Sequence, residues 1–530
     1  LAPVTLQVLA ALTNTLNVTV FFDPDEALYT HILQLLKQYE IASPHVRVSV
    51  VNYITEPAKA EQSVTQGRVP TLAGGYVDYT ATAGTLIVRD NDDKPIASMG
   101  YVAYTKNGVK DPATRPVTFA FNGGPGSSSM WLHMGILGPK RIDTVDAGNT
   151  PPAPYRLLDN PHGILDRSDV VMIDPVGVGI SRATGEKKDE DFWGVDADVD
   201  SIVRFIAQYV ADNHRWNSPK FLLGESYGTT RGTAIVEQLQ TRRNMLFNGL
   251  VLVSVATDIG ALDDGDSDRP YVLFLPTLTA TAWYHGALPG AKRPLEEVVA
   301  EARAFAAGPY ASALLQGEAL PAKELDAVAA RLSALTGLSV DYVRAARLRV
   351  SDSMFEQELL RSRGLTVGRI DSRFTGLTRD PLSKHAEGDP QASAISGAFT
   401  AGFLDYYHRT LKFGEGKTYR TTNYAVGGKW KWAHEQPGYT QQMVNTSPDL
   451  GRALVHNPFL QVLVLNGYLD LATPFYGAEW MMTHLNAPAS VQQRIAMKYY
   501  VAGHMMYLHP ESMAQMKRDL DAFYDATLQR

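Results

Sequence analysis

Lys220-Phe-Leu-Leu-Gly-Glu-Ser-Tyr-Gly228 begins as an apolar strand and ends in Gly-x-Ser-x-Gly. Thr229 to Gln240 continues with helical character, so the serine stands in a strand–turn–helix. Such a turn predicts a strained backbone at Ser226. It also leaves no room for side chains at Gly224 and Gly228, which face the neighbouring strand and helix. The first turn of the helix adds positive potential where negative charge would develop. Ser226 is therefore the candidate nucleophile.

Upstream, Val117-Thr-Phe-Ala-Phe-Asn122 runs as a strand into Gly-Gly-Pro-Gly-Ser-Ser-Ser129. A nucleophile of this kind needs two backbone donors for the oxyanion, one just after the serine and one on the loop that follows an earlier strand. The expected donors are the N–H groups of Tyr227 and Gly124. Removing one such donor typically costs about 2.7–4 kcal/mol of transition-state stabilisation. A phosphate cradle is the competing use of a glycine-rich loop. It is set aside because no Gly-Lys-[Ser/Thr] follows, no Gly-x-Gly-x-x-Gly opens a helix, and Pro125 removes an amide.

Downstream, the acid and the base should each follow a strand, in the order Ser, acid, His. After the apolar run Leu460 to Leu465 comes Asn466-Gly-Tyr-Leu-Asp470-Leu-Ala-Thr-Pro474, in which Asp470 is the only acid, the next being Glu479. After the run Arg494 to Ala502 comes Gly503-His504. His484 lies in a helical stretch and His509 well past the strand end, so His504 is the candidate base. It would take the Ser226 proton and return it to the leaving group, with Asp470 fixing its tautomer.

These strands belong to a longer alternation. Strand-like runs at Val117 to Asn122, Val170 to Asp174, Lys220 to Leu223, Gly249 to Val255, Leu460 to Leu465 and Arg494 to Ala502 are separated by helical stretches. That pattern predicts a mostly parallel sheet covered on both faces, and with the elbow it predicts an α/β-hydrolase fold. Tyr76 to Thr80, Thr85 to Arg89 and Ile96 to Thr105 form an antiparallel start to the sheet. The interval from about Ala261 to Asn445 breaks the rhythm. Ala-rich helical pieces occur at Leu295 to Ala307, Ala322 to Thr336 and Val340 to Leu348, and a polar stretch follows from Arg363 to Asp389. An insertion of this length is expected to pack over the active-site face as a lid. The expected division is a small βαβ unit at 1–66, a hydrolase core at 70–260 and 446–530, and a helical lid at 261–445.

In the small unit, strands at Val18 to Phe22 and Val46 to Val51 flank a helix over Asp25 to Glu40. With Phe-Phe-Asp-Pro at the first strand's end it resembles a thioredoxin-like domain, but without Cys-x-x-Cys redox chemistry is excluded. A structural or interaction appendage is the expectation, and Glu56 to Arg68 is expected to be a polar linker.

The chain has 530 residues, 45% hydrophobic and 20% charged, with a formal net charge of −7. That is ordinary globular composition, and the mildly acidic balance gives no footprint for nucleic acid. With no cysteine, a disulfide, a thiolate nucleophile and a Cys-ligated zinc site are all excluded, and bacterial origin is favoured. No metal or cofactor is expected. The first 22 residues, interrupted by Thr, Asn and Gln, read neither as a membrane span nor as a signal peptide. The chain opens on Leu1, as a processed, trimmed or fragmentary N-terminus would, and no targeting signal is visible in it.

Asn122-Gly-Gly-Pro-Gly-Ser-Ser-Ser129, Gly224-Glu-Ser-Tyr-Gly228 and Gly503-His-Met505 together resemble the serine carboxypeptidase family. Val170 to Gly179, Tyr271 to Pro276 and Ala280 to His285 support the resemblance, which runs from about residue 75 to the C-terminus. It implies release of C-terminal residues from peptides, best at acidic pH, in a periplasmic or secreted bacterial enzyme. It also implies that the substrate carboxylate is held by Asn122, Gly123 and Glu225. A carboxylate beside a carboxylate must share a proton, so Glu225 should bind substrate when protonated.

Three positions depart from the family pattern. Ser127 stands where a cysteine is usual, Tyr468 where a second Asp is usual before Asp470, and Ile136, just before Leu137-Gly-Pro139, where a second Glu is usual. The last keeps an esterase, amidase or acyltransferase open as the alternative activity. A catalytically silent binding module is the remaining alternative, against which the complete set of catalytic positions argues.

Overall fold

The structure is a computed structural model and describes residues 1–21, 29–51, 62–263, 265 and 267–529. Its centre is the apolar β-strand run predicted from sequence. The first strands are β1 (Leu16–Phe21), β2 (Val46–Val51), β3 (Gln62–Pro70), β4 (Tyr76–Arg89) and β5 (Pro95–Lys106). There follow β6 (Val117–Phe121), β7 (Asp169–Ile173), β8 (Lys220–Glu225), β9 (Gly249–Val253), β10 (Gln461–Gly467) and β11 (Ile495–Tyr500).

The main sheet runs in the order β11-β10-β9-β8-β6-β7-β5-β4-β3, and the short strand Arg182–Ala183 pairs with β5. From β11 to β7 every neighbouring pair is parallel, whereas β7 to β3 pair antiparallel. β8 lies in the middle, between β6 and β9, and all of its residues are buried.

Alternation along each strand divides the core between two faces. Leu222, Phe119, Phe121, Leu250 and Val464 pack on one side with Val199, Ile202, Ile206 and Leu239 from helices α1 (Val195–Asp212) and α2 (Tyr227–Arg243). Phe221, Leu223, Ala120, Val251 and Leu463 point to the other side, against Met516, Leu520 and Tyr524 of α3 (Pro510–Leu528). A strand buried on both faces has to read as a continuous apolar run, which is why the parallel strands were visible in the sequence. The fold is the predicted α/β-hydrolase arrangement.

The N-terminal βαβ pattern is present: β1 and β2 are parallel and a helix spans Tyr29–Ala42 between them. The Phe22-Asp-Pro24 end of the predicted first strand and the first turn of the predicted helix, up to residue 28, lie outside the described residues. The predicted linker requires correction. Over its described part it belongs to β3, an edge strand paired with β4 along its whole length. Its polarity misled the reading, because a solvated edge strand carries polar side chains on its open face. Arg68 pairs with Asp78 directly opposite, and the Tyr79 ring covers Gly67, where a Cβ would fall 2.3 Å from Cζ.

The two strand-like runs at 76–80 and 85–89 are one strand, β4, since the residues between them stay paired with β5. The segment between β9 and β10 contains helices Arg269–Tyr284, Leu295–Phe305, Ala322–Thr336, Val340–Ala345 and Pro390–Asp405. Several of these share an apolar core of their own around Phe274, Leu278, Leu332 and Val343. Further along, the segment is stitched to the main body by backbone bridges, Ser127 to Thr422 and Gly194 to Lys431 among them. Among the described residues no helix is long and apolar enough to cross a membrane.

Candidate active site

Ser226 stands between β8 and α2 with φ 62° and ψ −130°, a left-handed conformation that costs a non-glycine residue energy. The turn survives because its neighbours hold it. Ser226 N donates to Val253 O at 2.9 Å, and the Thr229 amide and hydroxyl donate to Ser226 O at 2.8 and 2.7 Å. At Gly224 a Cβ would fall 2.2 Å from Gly228 O, and at Gly228 one would fall 3.0 Å from Phe121 O. The glycines of the elbow are required by contact, as the sequence implied.

The glycine-rich loop lies directly against this turn. A Cβ on Gly123 would sit 2.4 Å from Tyr227 N, so only glycine lets the two main chains approach. Gly124 has φ +108°, also a glycine conformation. Its N–H has no acceptor among the described residues. As the first residue of α2, Tyr227 likewise has an N–H with no intrahelical acceptor.

His504 follows β11 and turns Nδ1 to Asp470 Oδ2 at 2.8 Å. Asp470 is wholly buried and saturated: Oδ1 accepts from the amides of Ala472 and Thr473, and Oδ2 also accepts from the Thr473 hydroxyl. Burial lowers the His504 pKa, but the Asp470 charge and hydrogen bond, with the Glu225 charge behind them, leave it raised overall. Ser226 and His504 line one cavity of about 560 Å³; no hydrogen bond joins them among the described residues. Asn122, Gly123, Gly124, Glu225 and Tyr227 line the same cavity. All the predicted site residues except Asp470 thus meet at one surface, and Asp470 stands behind His504.

Glu225 and Asn122 form the second polar cluster. Asn122 Nδ2 donates to Glu225 Oε1 at 2.7 Å, and Asn122 Oδ1 accepts from Leu132 N at 3.0 Å. Burial pushes the Glu225 pKa up from 4.5 to about 7. The His504 charge and hydrogen bonding from Tyr507 and Asn122 act against that rise, and the Asp470 charge adds to it. Ile136 is wholly buried, so the departure noted in the sequence leaves Glu225 without a carboxyl partner from that position.

Residues 73–286 match the family model described as serine carboxypeptidase. Residues 1–82 match a separate domain of unknown function. A serine carboxypeptidase-like protein of Arabidopsis thaliana is 31% identical over 181 residues, a match that spans 34% of this chain and 34% of that relative. The crystal structure of a prohormone-processing carboxypeptidase from Saccharomyces cerevisiae covers 88% of this chain and 96% of its own, with a TM-score of 0.54 at 13% identity. That likeness shows a shared fold. Within the matched residues lie Asn122, Glu225 and Ser226; Asp470 and His504 lie beyond them, and the structure brings them to the same site.

Sequence reading missed two supports of the domain. Arg231 is 1% exposed and bridges Asp198 Oδ2 at 2.6 Å and Asn122 O at 2.7 Å, lying over the Phe121 and Tyr227 rings. It locks the glycine-rich loop to the helix behind the nucleophile. Its signal was only an arginine one turn into an otherwise small and polar helix. The second support is the stretch 369–372. His504 N donates to Ile370 O at 2.7 Å, Leu471 N to Arg369 O and Ser372 N to Leu469 O, so this stretch ties the loop of the acid to the loop of the base. A Cβ at Gly503 would fall 2.4 Å from Asp371 Cα. In the sequence the stretch was only part of a polar insertion.

Proposed function

We propose that this protein is a serine-type carboxypeptidase that hydrolyses C-terminal peptide bonds through an acyl-enzyme, with Ser226, Asp470 and His504 as its triad. The observation that carries the reading is the Asn122–Glu225 pair beside Ser226. A buried carboxyl held near its protonated form can donate a hydrogen bond to a substrate's terminal carboxylate, whereas an ester or lipid offers it no such partner. Gly123 completes that subsite.

The chemistry follows from the geometry. With Nδ1 committed to Asp470, His504 Nε2 is the nitrogen left to accept the Ser226 proton as Oγ attacks the scissile carbonyl. The developing oxyanion is met by the N–H groups of Gly124 and Tyr227. His504 then protonates the leaving amine, and water, activated by the same histidine, releases the acyl group. Serine–histidine hydrogen bonds are often long without substrate and tighten in the complex. The insertion at 261–445 serves as the lid and sets side-chain preference. The absence of cysteine favours a bacterial enzyme, and the likeness to serine carboxypeptidases favours a periplasmic or secreted one whose partner is a peptide.

The test is labelling with a fluorophosphonate, followed by mapping of the modified residue and cleavage of paired peptides with free and amidated C-termini. Labelling at Ser226 and preference for the free acid are expected. The Ser226→Ala variant should lose about five to six powers of ten in kcat. Residual activity within tenfold of wild type would refute the nucleophile. Equal turnover of the two peptides would favour the amidase or esterase reading that Ile136 keeps open.

A further inference from the structure

The carboxylate subsite contains two buried polar atoms that have no hydrogen-bond partner among the described residues, Glu225 Oε2 and the hydroxyl of Tyr507. The phenol lies within hydrogen-bonding reach of Glu225 and Asn122, and its reach toward Glu225 holds that carboxyl's pKa down, yet no aligned hydrogen bond joins the pair among the described residues. Orphaned buried polar atoms are costly, and two of them side by side mark a place built for something else to bind or for one to steady the other. Glu225 borders the cavity and Tyr507 stands behind it.

Tyr507 reaches this position from the 3₁₀ turn Met506–Leu508, just after His504. Its ring lies on Gly135, where a Cβ would fall 2.2 Å from Cε2. Gly135 immediately precedes Ile136, the position at which the sequence lacks a second acid. The polar neighbour of Glu225 therefore comes from the C-terminal turn and is accommodated by a glycine.

We propose that Tyr507 is a positioning residue for Glu225, its hydroxyl steadying Oε2 so that the carboxyl stays aimed at the C-terminal carboxylate of a peptide. This rests on the carboxypeptidase reading given above. A hydroxyl both donates and accepts, so it can serve Glu225 in either protonation state. Burial holds the Tyr507 phenol well above its ordinary 10, and it stays neutral. A second carboxyl would instead share one proton with Glu225 and titrate with it as a coupled pair. The other ionisable groups acting on Glu225 are His504, whose charge favours the carboxylate, and Asp470, whose charge opposes it.

The test is Tyr507→Phe, which removes one oxygen that has no closed hydrogen bond and leaves the ring on Gly135. The carbonyl stretch of protonated Glu225 is followed by infrared difference spectroscopy from pH 5 to 9, with Glu225→Gln identifying the band. Loss of the hydroxyl withdraws support from the carboxylate, so the midpoint should rise by about half to one pH unit, the size of a weak hydrogen bond to a charged group. The KM for a free-acid peptide at pH 5, where Glu225 is protonated in both proteins, should rise several-fold as the carboxyl loses its seat, while that for the amidated peptide stays unchanged. An unmoved or lowered infrared midpoint would overturn the assignment. The infrared titration uses no substrate, so it decides the role of Tyr507 even if the paired peptides sink the carboxypeptidase reading.

Discussion

Replacing Glu225 with Gln exchanges one oxygen for an NH₂ group and removes a titration while keeping the shape. Oε1 can still accept from Asn122 Nδ2, and the amide can still donate toward the cavity. In the wild type, burial raises the pKa from 4.5 to about 7. The sign follows directly: a carboxyl raised in the fold adds no penalty while both states are protonated, below about 4.5. The ionised form is disfavoured in the folded state, so stability falls as pH rises from about 4.5 to about 7 and is level above that. The difference amounts to about 3 kcal/mol. Glu225→Gln has no such loss. The variant should therefore match the wild type's thermal stability at pH 4.5 and exceed it at pH 8 by an increment of up to about 3 kcal/mol. Kinetics give the second readout. Above pH 7 the wild-type KM for a free-acid peptide should climb about tenfold per pH unit as Glu225 ionises, and that of the variant should stay flat. Paired melting curves and KM profiles from pH 4.5 to 9 check both. Parallel stability curves would refute the burial argument, and a wild-type KM indifferent to pH would refute the role in substrate binding.

Asp470→Asn keeps the acceptor for the two backbone amides but sets an NH₂ against His504 Nδ1–H. It should cost about four powers of ten in kcat with little loss of fold, checked by circular dichroism and by the rate of fluorophosphonate labelling. Gly503→Ala places a methyl 2.4 Å from Asp371 Cα and 2.5 Å from Ile370 O, and should destabilise by about 1–3 kcal/mol while lowering kcat. A wild-type melting curve would count against the rigid seat described for residues 369–372. His434 joins Asp196 at 2.6 Å and Asp449 at 3.3 Å; burial lowers its pKa, but the two carboxylates raise it to about 9. Its contribution is complete below about 6.5 and disappears as pH rises through 9, so His434→Gln should destabilise at pH 6 and lose its effect near pH 10, as read from urea unfolding across pH.

Much of the core was legible because burial writes itself into composition. Strands buried on both faces leave apolar runs, and the elbow leaves glycines where a Cβ would strike backbone, as at Gly224. The edge strand β3 was not legible for the same reason in reverse, since half of Gln62–Pro70 faces solvent and reads as a linker. Asp470 and His504 could be singled out by chain order and strand ends alone. Arg231 could not, because a buried arginine is recognised only by its partners, here Asp198 and the Asn122 carbonyl, which come from other elements. Tyr507 was invisible for a similar reason. Three residues from His504 in sequence, it gains meaning only where its ring meets Gly135.

The insertion has a consequence for how this site can vary. The stretch 369–372 pairs with residues 469 and 471 on one side and with His504 on the other, so the acid and the base are held by main-chain bonds from a segment far from both in sequence. Main-chain bonds are indifferent to side-chain identity, whereas at Gly503 the contact dictates side-chain size. The same insertion supplies Phe274, Ile370 and Gln391 to the cavity wall. Side chains there can change the substrates admitted without moving Asp470 or His504, provided the backbone of 369–372 keeps its place. On the proposed reading, selectivity and catalytic geometry therefore reside in one segment but in different parts of it, side chains for the first and carbonyl and amide groups for the second.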